Sequence, residues 1–188
     1  DLVFSTYLGG SGDTRCLDLV PEPSGTVCVC GYTDSADFPT TPGAYQDSLS
    51  GSTGGFISKL SADGTRLLAS TYVGSSSRAS GIAVDAQGNV YAAGSDNSYT
   101  PTVWFLDAGL TRLYAQSSWG ENFDTFPTYV ALGPDGSYYA AGTYNGVDFT
   151  PTTGAFQTTY GGGDSDAFVA RSAFVLVDRA SVAITGVF

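Results

Sequence analysis

Carboxylates are the main residues of this chain that could carry acid-base or metal chemistry. The sequence has 16 Asp, 2 Glu and no His. Without His, a Ser-His-Asp triad, a Cys-His pair and an imidazole metal site are all excluded. Glycosidases work with two carboxylates alone, so a carboxylate-based, glycan-active enzyme is the third hypothesis. Because most of these Asp lie in turn sequences and suit bonds to their own backbone, we predict no catalytic residue and no enzymatic activity.

One pair of carboxylates has the spacing of a cation site. In Gly161-Gly162-Gly163-Asp164-Ser165-Asp166 two side chains stand at positions i and i+2 on a flexible loop, so both can approach one calcium ion. Calcium on Asp164 and Asp166 is the only cofactor hypothesis. The loop lacks the further carboxylate of an EF-hand, and a plain solvated turn is the alternative.

Four aromatic residues lie in two similar Pro-rich loops. The first Pro-rich loop is Asp37-Phe38-Pro39-Thr40-Thr41-Pro42-Gly43-Ala44-Tyr45-Gln46, and the second is Asp148-Phe149-Thr150-Pro151-Thr152-Thr153-Gly154-Ala155-Phe156-Gln157. Surface loops carry much of protein function, so Phe38, Tyr45, Phe149 and Phe156 are the predicted binding residues for a glycan or a protein. The structural alternative is that these rings hold each loop against a strand.

The three cysteines fall within 15 residues of one another. Cys28 and Cys30 alternate onto one face of a predicted strand, whereas Cys16 points to the other face. This arrangement disfavours an internal disulfide. Cys-x-Cys without His is also a poor zinc motif, so we interpret the cysteines as small core residues.

The net charge limits the partners. A formal charge of −11 repels phosphate backbones and anionic membrane surfaces, so we expect no nucleic acid partner. No apolar run reaches 18 residues, so we expect no membrane insertion.

A threefold repeat positions these residues. Turn glycines Gly25, Gly88 and Gly136 each precede a strand-like segment that ends in Gly, and they are separated by 63 and 48 residues. Repeats of this length built from short strands indicate a stack of similar β units. In the first unit, strands are predicted at 3–8, 16–20, 26–32 and 55–60. No segment has helical periodicity, so the fold class is all-β.

We divide the single domain, residues 1–188, into three four-stranded antiparallel units, which we call blades, and a C-terminal strand tail. The blades cover 2–66, 67–112 and 113–171, and the tail covers 172–188. Aromatic residues recur at matched strand positions, which predicts that they form the blade core. This set comprises Tyr7, Tyr72, Tyr91, Tyr139, Phe56, Phe105 and Phe168.

Three segments of the first unit form a recognisable pattern: Tyr7-Leu8-Gly9-Gly10-Ser11-Gly12-Asp13, Gly31-Tyr32-Thr33 and the first Pro-rich loop. This pattern resembles the SBBP family of bacterial β-propeller repeats, and the resemblance extends over about residues 2–171. It implies propeller-type blades in secreted or cell-surface proteins, commonly within longer chains. We therefore expect an extracellular or cell-surface location.

The number of blades gives the functional hypothesis. A propeller has about 4–8 blades, and three leave open faces and unpaired strand edges. We expect a non-catalytic structural protein that assembles through these edges, by self-association or with further blades of a longer chain. The alternative is a binding module that presents its Pro-rich loops to a glycan or a surface protein and is stabilised by calcium.

Overall fold

The regular structure of this protein is entirely β. The computed structural model describes residues 1–95, 100–118, 126–145, 150–178 and 181–185, and these form 12 strands in three antiparallel sheets of four. No helix that is long and apolar enough to cross a membrane occurs in these ranges. The prediction of an all-β chain built from propeller-like blades is confirmed.

Each sheet is formed by four strands that follow one another along the chain. The first blade contains β1 (Thr14–Pro21), β2 (Val27–Thr33), β3 (Gly54–Leu60) and β4 (Leu67–Val73). The second contains β5 (Arg78–Val84), β6 (Val90–Ser95), β7 (Pro101–Leu106) and β8 (Leu113–Ser118). The third contains β9 (Phe126–Leu132), β10 (Ser137–Tyr144), β11 (Asp166–Asp178) and β12 (Ser181–Thr185).

The sheets are offset by one strand from the predicted units. The strand at Leu67–Val73, predicted to open the unit 67–112, pairs with β3 and closes the first sheet. Leu113–Ser118 closes the second sheet in the same way, and residues 3–8 form no strand. The boundaries 2–66, 67–112 and 113–171 therefore need correction. A sequence repeat gives the period, but hydrogen bonding decides where one sheet ends.

The predicted tail, residues 172–188, contributes to the third sheet. β11 continues to Asp178, and β12 pairs with its second half, from Ala173 opposite Thr185 to Asp178 opposite Ser181. The first half of β11, from Asp166 to Ala173, pairs with β10. In contrast, β4 pairs with the same part of β3 that contacts β2. The outer strand is thus displaced along β11 in the third blade.

A bulge brings the first and second strands of two blades unusually close. A Cβ atom at Gly31 would lie 1.9 Å from the carbonyl oxygen of Arg15, and one at Gly94 would lie 1.8 Å from that of Arg78. Glycine is required at both positions because no side chain fits there. This explains why the repeated strand ends in glycine.

The blades stack face to face around two apolar clusters. The cluster between the first and second blades includes Cys28, Cys30, Ile57, Ala69, Val73, Ala92, Trp104 and Leu110. The cluster between the second and third includes Tyr91, Ala93, Val103, Phe105, Val130, Tyr138 and Ala140. β5 contacts β1 and β2 of the first blade, and β9 contacts β5 and β6 of the second. The second blade is therefore covered on both faces, and the outer blades on one.

Candidate functional site

The first Pro-rich loop is held to its blade by Phe38. The Phe38 ring is buried, with its centroid 4.6 Å from that of Phe56 and 5.8 Å from that of Tyr72. The Tyr72 hydroxyl lies beside it and donates to the carbonyl oxygen of Ser35 at 2.6 Å. A ring in this position is not available to a ligand, so Phe38 has the structural role given above as the alternative to binding.

The rest of this loop covers the outer edge of β4. The backbone N–H of Thr41 donates to the Ser70 carbonyl at 3.1 Å, and the N–H of Tyr72 donates to the Gln46 carbonyl at 2.9 Å. The Gln46 N–H in turn donates to Thr71 Oγ1 at 2.9 Å. These bonds satisfy an edge that would otherwise be open to another strand. The first Pro-rich loop is therefore an edge cover.

The second Pro-rich loop has the same local structure, but the residues that match the contact residues of the first loop are exposed. The N–H of Ala155 donates to the Thr152 carbonyl at 3.0 Å, as that of Ala44 does to Thr41. Thr152 and Gln157 are exposed, whereas Thr41 and Gln46 are half-buried. Phe156 is fully exposed, whereas Tyr45 is partly exposed and its N–H donates to the Leu110 carbonyl in the second blade. Phe149, the fourth predicted binding residue, lies outside the described residues.

The candidate calcium ligands follow the second Pro-rich loop, and Asp166 is the first residue of β11. Asp164 is exposed, and Asp166 accepts a hydrogen bond from the Gly161 N–H at 2.6 Å. In the described ranges no group of three or more Asp, Glu, Cys or His side chains is placed to hold a metal ion. Two carboxylates are present as predicted, and calcium binding at Asp164 and Asp166 stays a prediction.

The number of blades predicted open faces, but the sequence alone did not identify the residues that form the open face of the third blade. We call it the free face, and it consists of Tyr129, Ala131, Tyr139, Ala141, Val169 and Arg171, which the strand register places side by side. Val169 is 72% exposed and Tyr139 is 40% exposed. Tyr139 was predicted to be core, and that prediction is wrong because no blade packs on this face in the structure.

The equivalent positions in the other two blades are buried. By register, Val169 corresponds to Ile57 and Val103, and Tyr139 corresponds to Cys28 and Tyr91. All four of these counterparts are covered by the next blade. The free face therefore has the composition of a contact between blades but is exposed to solvent.

Residues 2–8, which we call the N-terminal segment, are the second exposed apolar feature. Leu2, Val3 and Tyr7 are all exposed, and Tyr7 is fully so. Phe4 and Leu8 point the other way: Phe4 lies against Gly64, and Leu8 packs on the cluster of Val29, Phe38, Phe56 and Tyr72. Tyr7 was also predicted to be core, and this is wrong because no strand of the described residues pairs with the segment.

The contacts between blades bury ionisable side chains. Burial raises the pKa of the Cys28 thiol to about 12 and that of the Tyr91 hydroxyl to about 12. All three cysteines are free thiols, and Cys28 and Cys30 face the same cluster as predicted. A solvent-exposed free face is the exception in a molecule whose other blade faces exclude water.

No protein-family model and no curated protein sequence matches the chain. The resemblance to SBBP repeats therefore stays a prediction. A functional assignment has to rest on the two exposed features, the free face and the N-terminal segment.

Proposed function

We propose that this chain is a non-catalytic structural protein that self-associates through the open sides of its outer blades. The observation that carries the proposal is the exposure of Val169 and Tyr139 at positions that are buried in both other blades. Large exposed apolar patches are uncommon on monomers and typically mark interaction sites. An extracellular or cell-surface location belongs to the same proposal and rests on the resemblance to SBBP repeats.

The electrostatics of the free face suit a contact between blades. Its one cation, Arg171, pairs with Asp135 and lies over the Tyr139 ring at 5.7 Å. The face therefore presents apolar surface with little net charge. Burying it against another apolar face would contribute roughly 25 cal/mol per Å² of apolar area, before the entropy lost on association.

The test is the mass of the protein in solution. We expect sedimentation velocity to show particles larger than one chain, and Val169→Lys to shift them toward the monomer. The substitution places an ammonium group in the contact and also lowers the net negative charge, so the shift cannot arise from stronger repulsion. A monomer at all micromolar concentrations for the unaltered chain contradicts the proposal.

The matched control is Gln87→Lys. Gln87 is exposed in the turn between β5 and β6, away from the free face, and the change in charge is the same. We expect it to leave the particle mass unchanged. Equal dissociation of both variants would mean that charge alone sets the mass and would count against the free face.

A further inference from the structure

The N-terminal segment has the sequence of an outer strand. Residue by residue it matches β4: Leu2 corresponds to Leu67, Ser5 to Ser70, Thr6 to Thr71 and Tyr7 to Tyr72, all identities. In β4, Tyr72 and Thr71 are buried, and the Tyr72 ring packs in the cluster with Phe38 and Phe56. In the N-terminal segment their counterparts face solvent.

The segment also lies on the first blade in the way that β4 lies on the second. Val73 and Ala69 of β4 pack in one cluster with Leu110, which occupies the turn between β7 and β8. The counterparts Leu8 and Phe4 pack on the first blade, and Phe4 contacts Gly64. Gly64 and Leu110 hold equivalent places, because each N–H closes the same turn and both have positive φ.

The sizes of these contact residues are complementary. The small Ala69 shares a cluster with the large Leu110. The large Phe4, which is the counterpart of Ala69, lies against Gly64, which is the counterpart of Leu110. Such an exchange of large and small residues maintains the packing volume of one contact. The N-terminal segment is therefore already seated as the outer strand of a blade that precedes the first one.

The third blade offers an outer edge that matches this strand. In the first blade, β3 pairs with β4 through Ile57 opposite Thr71 and Ser58 opposite Ser70. The counterparts on β11 are Val169 and Ala170, but the ladder to β12 begins only at Ala173. In the described part of the chain, no strand is paired to the outer edge of residues 169–172.

The second Pro-rich loop supplies the cover for such a strand. Thr152 and Gln157 are the counterparts of Thr41 and Gln46, which bond to Ser70, Thr71 and Tyr72 of β4. The N–H of Phe156 is the counterpart of that of Tyr45, which donates to the Leu110 carbonyl. All three residues of the second loop are exposed.

We infer that the N-terminal segment of a second copy fills the outer edge of β11, with Thr6 opposite Val169 and Ser5 opposite Ala170. Strand addition of this type gains backbone hydrogen bonds along the whole segment. The first blade of that copy then covers the free face, and the Phe156 N–H reaches its Gly64 carbonyl. The inference rests on the proposed self-association and specifies its contact.

A second copy is required because the two parts of the contact are far apart in one chain. The N-terminal segment lies on the first blade, on the face opposite to the second blade. β11 belongs to the third blade, which packs on the other side of the second. Two copies joined twice in this way form a ring of six blades, within the range of about 4–8 that propellers adopt.

The experiment is a disulfide between two differently tagged chains. One chain carries Ser5→Cys and the other Ala170→Cys, both in a Cys16→Ala background that removes the exposed native thiol. In the first blade the positions equivalent to 170 and 5 are Ser58 and Ser70, whose hydroxyl oxygens are 2.8 Å apart. Opposed antiparallel residues have Cα atoms about 4.5–5.5 Å apart, which suits a disulfide.

We expect mild oxidation to link the two tagged chains, and to link nearly none when Ser24→Cys, in an exposed turn of the first blade, replaces Ser5→Cys. If the protein forms particles larger than one chain but no disulfide forms between positions 5 and 170, this contact is wrong and self-association is still supported. A monomer overturns both. A chain carrying both cysteines that closes on itself, giving a linked monomer, also overturns the second copy as the partner.

Discussion

At the scale of single residues, one lysine connects two blades. Lys59 is buried on β3, where it forms an ion pair of 3.0 Å with Glu22 and donates to the Gly88 carbonyl of the second blade at 2.8 Å. Lys59 is the only lysine in the chain. Its counterpart in the second blade is Phe105, so an apolar side chain also fits this type of position.

We expect Lys59→Met to lower the free energy of unfolding by about 3–5 kcal/mol, because Glu22 would stay buried without its cation. Adding Glu22→Gln removes the unpaired charge and is expected to recover most of that loss. Urea unfolding of the four proteins in the cycle measures the coupling. Additive effects of the two substitutions would show that the pair is not coupled.

The buried thiols predict a fall in stability at alkaline pH. Burial raises the pKa of Cys28 to about 12 and also raises that of Cys30. In the unfolded chain a thiol loses its proton near pH 8.5. The folded state therefore binds more protons above that pH, so the contribution of the two thiols to stability is constant below about pH 8 and declines as pH rises toward 12.

The measurement is urea unfolding at pH 8, 9 and 10, compared with Cys30→Ala. Alanine occupies the matching positions 93 and 141, so the variant is expected to fold. Each buried thiol contributes a slope of up to about 1.4 kcal/mol per pH unit, and the variant should lose one such contribution. An identical slope in both proteins would assign the decline to other groups.

At the scale of elements, the edge of β4 depends on the Pro-rich loop beside it. Thr71 is buried, and its Oγ1 accepts from the Gln46 N–H at 2.9 Å. We expect Thr71→Val to lower the free energy of unfolding by about 1–3 kcal/mol, since this partly buried N–H would lose its acceptor.

The control for this change is Thr153→Val, at an exposed position of the second Pro-rich loop that corresponds to Pro42. Chemical denaturation of both variants gives the comparison, and the control should change stability by less than about 0.5 kcal/mol. A loss of the same size in both would mean that the threonine-to-valine exchange itself, and not the covered edge, sets the effect.

The strands could be predicted from sequence better than their grouping into sheets. The predicted strands 26–32 and 55–60 agree closely with β2 and β3, because alternation and turn glycines are local signals. The division between blades was misplaced because Leu67–Val73 has the same residues whether it closes one sheet or opens another. Which sheet it joins depends on pairing with β3, and no local pattern encodes this.

The candidate site was less predictable for a related reason. Val169 and Ile57 are similar residues at equivalent positions, and only the neighbouring blade makes one buried and the other exposed. The same holds for Tyr7 and Tyr72. Sequence repetition identifies the residues that belong to a contact between blades. It does not tell which of these residues have no neighbouring blade to pack against.

At the scale of the whole molecule, three blades act as a stack with two different ends. One end is the first blade with the N-terminal segment on it, and the other is the free face of the third blade. Because the two ends differ, the self-association that we propose would join copies head to tail, and such contacts close into rings when the rotation allows it. The charge of each copy opposes this association.

We expect the association to strengthen as salt increases. Each chain carries a formal charge of −11, whereas the N-terminal segment has no charged side chain and the free face has only Arg171, which is paired with Asp135. Repulsion between copies is therefore long-range and is screened at high ionic strength, where the Debye length falls from about 10 Å at 0.1 M to about 3 Å at 1 M.

Sedimentation at increasing NaCl concentration should show a rising share of the larger particles. Gln87→Lys should show a weaker dependence on salt than Gln87→Ala, because its net charge is smaller. Dissociation on adding salt would instead indicate that ion pairs hold the copies together, which is incompatible with an apolar contact at the free face.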